Sequence, residues 1–155
     1  MAHSEVKIMR LTRAGEYAVR CMMYLSCLGM DKIGSRIEIA QVMDIPAQFL
    51  GKIAQQLARA GYIEIIQGPK GGFRLVVPPE KVTLLGVIEA VIGEIYLNDC
   101  LMRLESCHRS PTCTVYKVWQ KARHQLRETL EQATFATLNA EHSCFDLMGE
   151  PSRKP

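Results

Sequence analysis

Residues 35–61, SRIEIAQVMDIPAQFLGKIAQQLARAG, hold two short helical patterns separated by a sharp break. Ser35-Arg36-Ile37-Glu38 has the form of a capping box. The Ser35 hydroxyl can accept from the Glu38 N–H while the Glu38 carboxylate reaches back to the Ser35 N–H. Ile37, Ala40 and Val42 carry a short helix to Met43, and Asp44-Ile45-Pro46 interrupts it. Pro46 suits the first position of the next helix, where the N–H it lacks would have had no partner. Leu50, Ile53, Ala54 and Leu57 recur at helical spacing on one face of that helix, and Gly61 ends it. Its other face carries Gln48, Gly51, Lys52, Gln55, Gln56 and Arg59.

Downstream, Tyr62 to Ile66 alternates like a strand, Gly68-Pro69-Lys70-Gly71-Gly72 is a turn, and Phe73 to Val77 returns. Upstream, Ala14, Tyr17, Ala18, Cys21, Met22, Leu25 and Leu28 mark a helix from Leu11 to about Gly29, capped by Thr12. Helices around a tight turn, followed by a Gly-rich hairpin, predict a winged helix-turn-helix over residues 10–79, behind a flexible leader at 1–9. The overall class is mainly α with a small β-hairpin wing.

The side chains on the second helix of this unit suit nucleic acid. A B-DNA major groove admits an α-helix whose N-terminal residues read base edges. Gln48 and Gln55 offer paired donors and acceptors, and Lys52 and Arg59 offer phosphate or guanine contacts. Gly51 lets the backbone approach the DNA closely. The narrow wing tip carries Lys70, placed for a minor-groove or phosphate contact. Charge distribution agrees: residues 1–79 hold ten Lys/Arg against six Asp/Glu, a net of +4, whereas residues 80–155 hold nine against ten, a net of −1.

At 48% hydrophobic and 23% charged, the chain is too apolar to be disordered. No apolar h-region opens it, and no run approaches the ~20 apolar residues of a membrane helix, so a soluble, cytoplasmic protein is expected. Six cysteines in that compartment favour thiols or metal ligation over disulfides. No nucleophile–base pair stands out, so an enzyme is not expected.

Pro78-Pro79 marks a boundary, after which Thr83 caps a short apolar helix from Leu84 to about Ile92. Residues 98–113 read as irregular and carry Cys100, Cys107 and Cys113. Thiolates are the ligands iron and sulfide prefer. The spacing fits neither paired zinc cysteines nor a plant-type ferredoxin, so bound metal, a redox sensor and chance thiols all remain open on spacing alone. From Thr114 to Leu138, the positions Val115, Trp119, Ala122, Leu126, Leu130, Ala133 and Thr137 predict one long amphipathic helix. Residues 80–139 thus form a cysteine loop with a long helix, and 140–155 a disordered tail. Cys21, Cys27 and Trp119 are assigned to packing.

Arg10 to Arg20 (RLTRAGEYAVR), Glu38-Ile39-Ala40, Leu57 to Ile63 and Gly68 to Leu75 resemble the Rrf-two (Rrf2) family of bacterial regulators, and the resemblance extends through Thr83–Glu94 and the cysteine loop to about residue 138. It implies a homodimeric winged helix on double-stranded palindromic operator DNA, with the long C-terminal helix as the dimer element. It also implies an iron–sulfur cluster, of the four-iron or two-iron type, on Cys100, Cys107 and Cys113. The sensed signal would be iron, redox or nitric oxide status. Cluster-free members that answer to a partner protein or metabolite are the alternative, and an electron-transfer protein a further one. The chain departs from the family pattern at three places. Gln67 stands where an Arg is frequent, so that Lys70 or Arg74 takes the wing contact. Gly51 stands where the IscR type has a Glu. Tyr116 stands where that type has a His ligand. The resemblance to the NsrR type then points to Glu16, supplied by the partner subunit, as fourth ligand, with His108, Cys144 and an exogenous ligand as alternatives.

Overall fold

The computed structural model describes residues 12–141, so the expected leader and most of the expected tail lie outside the described residues. Helix α1 spans Arg13–Leu28, and the Thr12 hydroxyl caps it by accepting from the Gly15 N–H at 3.4 Å. Its buried face is the one the spacing picks out: Ala18, Cys21, Met22 and Leu25. Helix α2, Arg36–Val42, starts at Ser35, whose hydroxyl accepts from the Glu38 N–H at 3.1 Å. That is half of the expected box. The Glu38 carboxylate faces the Tyr24 hydroxyl of α1, and this contact, after burial, helps push that phenol up to about 12.

The turn into α3, Ala47–Arg59, is held from α1. Asp44 takes a left-handed backbone (φ 52°), a conformation Asp tolerates better than most residues. Arg20 donates to the Asp44 carbonyl at 3.0 Å and to the Met43 carbonyl at 3.4 Å. Pro46 sits at the cap rather than at the first helical position; its own carbonyl accepts from Phe49 and Leu50. Leu50, Ile53, Ala54 and Leu57 are buried as the spacing predicts.

The wing is an antiparallel pair, β1 (Ile63–Ile66) and β2 (Gly72–Leu75), in register from Ile63 opposite Leu75 to Ile66 opposite Gly72. Both strands are shorter than expected. Tyr62 still joins the far end, accepting from the Val76 N–H at 3.0 Å. Gly34 and Phe73 exchange two hydrogen bonds of 2.9 Å, which pins the loop before α2 onto β2.

Helix α4, Leu84–Ile92, is capped by Thr83, whose hydroxyl accepts from the Gly86 N–H at 3.1 Å. It packs most extensively on α1. The hydrophobic core therefore does not stop at residue 79: Val82 and Val87 belong to the same buried cluster as Leu25, Ile53 and Phe73. Residues 98–113 are not irregular throughout. They hold a one-turn helix α5, Asp99–Met102, and 3-10 turns at Leu104–Ser106 and Ser110–Thr112.

The C-terminal segment corrects the expectation of one long helix. Helix α6 runs Thr114–Gln132, the chain breaks at Ala133–Thr134, and α7 resumes at Phe135–Glu141. Tertiary hydrogen bonds make the break: Leu84 N–H donates to the Ala133 carbonyl at 2.8 Å and Phe135 N–H to the Val82 carbonyl at 2.9 Å. Those carbonyl and amide groups cannot also serve a continuous helix. Phe135 is then fully buried in the core shared with α1. Among the described residues no helix is long and apolar enough to cross a membrane.

Candidate nucleic-acid interface and cysteine loop

The outer face of α3 looks across a cleft of about 650 Å³ to the wing. Gln48, Gly51, Lys52 and Gln55 line it from α3, and Gln67, Gly68 and Pro69 from the wing turn. The three α3 side chains are exposed because the helix spends its apolar face on the core. Arg59 is exposed in the last turn of α3, and Lys70 is exposed at the wing tip; neither lines the cleft. The tip needs glycine. Gly68 has φ 101°, and a Cβ on Gly71 would collide with the Ile66 carbonyl oxygen.

Arg74 lies on β2 opposite Glu64, and the two side chains form an ion pair across the hairpin. Its guanidinium braces the wing and does not line the cleft. Gln56, which helical spacing groups with the polar face, donates to the Val91 carbonyl at 3.2 Å and joins α3 to α4.

In the cysteine segment, Cys100 is in α5, Cys107 follows the first 3-10 turn, and Cys113 precedes α6. All three are half-buried free thiols. As it stands, the segment does not gather them: among the described residues no group of three or more His, Cys, Asp or Glu forms a metal site. Two observations nonetheless suit a soft metal centre. The donors are three reachable thiols within one short segment, the set that iron and sulfide favour. Between two of them, the Ser110 hydroxyl is buried without a hydrogen-bond partner among the described residues, a state that native structures seldom leave uncompensated. Cys21 differs from them. It is completely buried, and burial pushes its thiol up to about 12, so it holds its proton and is a poor ligand. Cys27 corrects one expectation: it is half-buried rather than core. Glu16 is exposed in the first turn of α1.

A family model described as iron-dependent transcriptional regulator, Rrf2, matches residues 11–141. The chain belongs to this family. It is 30% identical over 131 residues to the HTH-type transcriptional regulator NsrR of Halalkalibacterium halodurans, a match covering 84% of this chain and 90% of that one. Among solved structures, CymR, the global cysteine regulator of B. subtilis, superposes with a TM-score of 0.73 at 22% identity, covering 88% of this chain and all of that one. IscR of T. potens superposes with a TM-score of 0.67 at 21% identity, covering 86% and 88%. The chain is accordingly a DNA-binding transcriptional regulator of winged-helix type.

In this Rrf2 regulator, sequence reasoning missed a polar clamp that joins α4 and the residues just after it to α6. Arg127 pairs with Glu89, Arg123 pairs with Glu94 at 2.5 Å, and Arg123 also donates to the Ile95 carbonyl at 2.7 Å. The Tyr96 hydroxyl donates to Glu94 at 2.9 Å, and Arg123 lies 4.3 Å above the Tyr96 ring. The Tyr96 hydrogen bond and then Arg123 hold the Glu94 carboxyl below its ordinary range. The ion pairs of the clamp join residues 29 or more apart, and only the spacing of Arg123 and Arg127 on one helix face hinted at it.

Proposed function

We propose that this regulator binds palindromic operator DNA in the cytoplasm as a homodimer, and that its affinity is linked to an iron–sulfur cluster on Cys100, Cys107 and Cys113. The observation that carries the reading is the segment 100–113 itself. It presents three free thiols, carries between the second and third of them in sequence a buried hydroxyl with no partner among the described residues, and leads directly into α6. The family description as iron-dependent points the same way. When bound, such a cluster supplies a centre whose charge and integrity respond to iron, oxidants or nitric oxide. The chain's own part is mechanical. Holding the three thiols together would order 100–113, and α5 packs against α6. A change there shifts α6 against the winged unit, and a coupling of ~1–3 kcal/mol between the two sites is enough for a switch.

For the fourth ligand, Glu16 of the partner subunit is the choice, since Tyr116 offers no imidazole. For the dimer, α6 supports the reading: none of its residues is buried, and Val115, Val118 and Trp119 are 52%, 62% and 40% exposed. Gln48, Lys52, Gln55, Arg59 and Lys70 are the expected DNA contacts, and Gly51 lies on the same face, beneath the Arg36 guanidinium rather than open to close approach by DNA. Arg74, which pairs with Glu64 across the hairpin, is kept with Lys70 as a candidate wing contact to DNA.

One experiment tests both halves. The full chain, purified without oxygen, is analysed for iron, sulfide and absorption spectrum, then offered random DNA before and after iron chelation. The expected result is a coloured protein that enriches one palindrome in one of the two states. Replacing Cys107 with Ser should abolish the colour. A colourless protein that enriches the same palindrome equally in both states would establish the cluster-free alternative. That alternative draws on the failure of the three thiols to gather in the structure. No enriched site in either state would defeat operator binding.

A further inference from the structure

Gly51 sits in the middle of α3, a 13-residue helix, where glycine costs about 1 kcal/mol relative to alanine. Its φ is not positive, so no backbone conformation demands it. The space where its Cβ would stand is taken by another side chain. A methyl group there would collide with Nη2 of Arg36, and Arg36 Cζ would lie 3.1 Å away. Arg36 is the first residue of α2, and its guanidinium reaches across to α3, where Nη2 donates to the Ala47 carbonyl at 3.4 Å. None of the ion pairs among the described residues involves Arg36. A guanidinium carries five N–H donors, and one long hydrogen bond engages few of them. The group therefore lies in the cleft, over the face that also carries Gln48, Lys52 and Gln55.

Resting on operator binding, we propose that Arg36 is a base-reading residue, delivered from α2 onto the reading face of α3 through the gap that Gly51 leaves, and that it recognises guanine. A planar two-pronged donor matches the O6 and N7 acceptors of guanine in the major groove, the commonest specific contact of arginine with DNA. Its position favours a base over a phosphate: it lies among the glutamines at the start and middle of the helix, whereas Arg59 and Lys70 occupy the margins. Gly51 is then a positioning residue, and its small size is what seats the arginine.

The test measures binding of the full chain to its selected operator, to a panel of single base-pair variants of it, and to unrelated DNA. Arg36→Ala should weaken operator binding on the order of tenfold or more, flatten the preference at one G·C position in each half-site, and leave binding to unrelated DNA nearly unchanged. Gly51→Ala should fold, melt no lower than the parent, and flatten the same position, because the displaced atoms are the far end of a flexible side chain. The double variant should lose no more than Arg36→Ala alone, and Arg36→Lys should not restore the preference. Equal losses on operator and unrelated DNA would make Arg36 a phosphate contact and overturn the proposal, as would an unchanged preference profile. If the parent chain itself selects no site, operator binding falls first, which separates the two failures.

Discussion

At the residue scale, local chemistry was the most legible part of the chain. Thr12, Ser35 and Thr83 each cap the helix assigned to them, because a cap needs only a hydroxyl two or three residues from an orphaned N–H. Cys21 was legible for a related reason, since helical spacing alone puts it on the buried face of α1. Arg36 was not, because nothing local tells an arginine to lie over a glycine fifteen positions on. The cysteines give a prediction at this scale. In the metal-free, folded protein, Cys100, Cys107 and Cys113 should react with an alkylating reagent at neutral pH, and Cys21 only after denaturation. Its thiol is buried and pushed from an ordinary value near 9 up to about 12. The same shift has a signed consequence. The unfolded chain releases that proton first, so stability is intact below pH 9 and falls as the pH rises towards 12. The Tyr24 phenol adds to the loss above pH 10. Thermal melts from pH 8 to 11 should show the decline, and Cys21→Ala, though less stable throughout, should show a shallower one. Rapid native labelling of Cys21 would refute this account of its burial.

At the element scale, the winged unit was readable and the C-terminal helix was not fully so. The apolar stripe runs through Ala133 and Thr137 without a gap, because α7 resumes the helical period after the break. What stops α6 lies 50 residues upstream, where Val82, Thr83 and Leu84 bind the backbone on both sides of Thr134. Thr134 then caps α7, its hydroxyl accepting from the Thr137 N–H at 3.2 Å. The break lets Phe135 enter a core of α1 and α4 residues, which a straight helix would carry it past. Phe135→Ala should therefore lower the unfolding free energy by about 3–5 kcal/mol, the range for a fully buried phenylalanine. Leu130→Ala, at a half-buried site on α6, should cost clearly less. Urea titrations of the two variants decide the ranking. Equal losses would mean that α7 is not part of the core.

At the scale of the whole molecule, the arrangement separates a well-buried winged unit from a helix that is poorly covered within one chain. Helix α6 touches the rest mainly through α4 and α5, and among the described residues its ion pairs run to Glu89 and Glu94. The indole N–H of Trp119 adds a bond of 2.9 Å to the Asn98 amide oxygen once that amide is oriented to suit its neighbours. The hydrophobic stripe made α6 visible in the sequence, but its charged anchors were not, since ion pairs between distant segments leave no periodic mark. If α6 joins two subunits, these anchors set the distance and angle between the two reading heads, while neither head uses them to touch DNA. Loosening them should then spare one head and harm two acting together. Replacing both Arg123 and Arg127 with Ala should leave binding to a single half-site nearly unchanged. Binding to the full palindrome should weaken about tenfold, within the ~1–3 kcal/mol usual for coupling between sites. Inserting one base pair between the half-sites should penalise the double variant less than the parent, because a looser clamp tolerates a wrong spacing. The loss should also vanish in a chain that reads only one half-site, since no second head remains to be held. Equal weakening on half-site and palindrome would show instead that the clamp supports the fold of the winged unit itself. Circular dichroism melts of the same variant would then show that destabilisation directly.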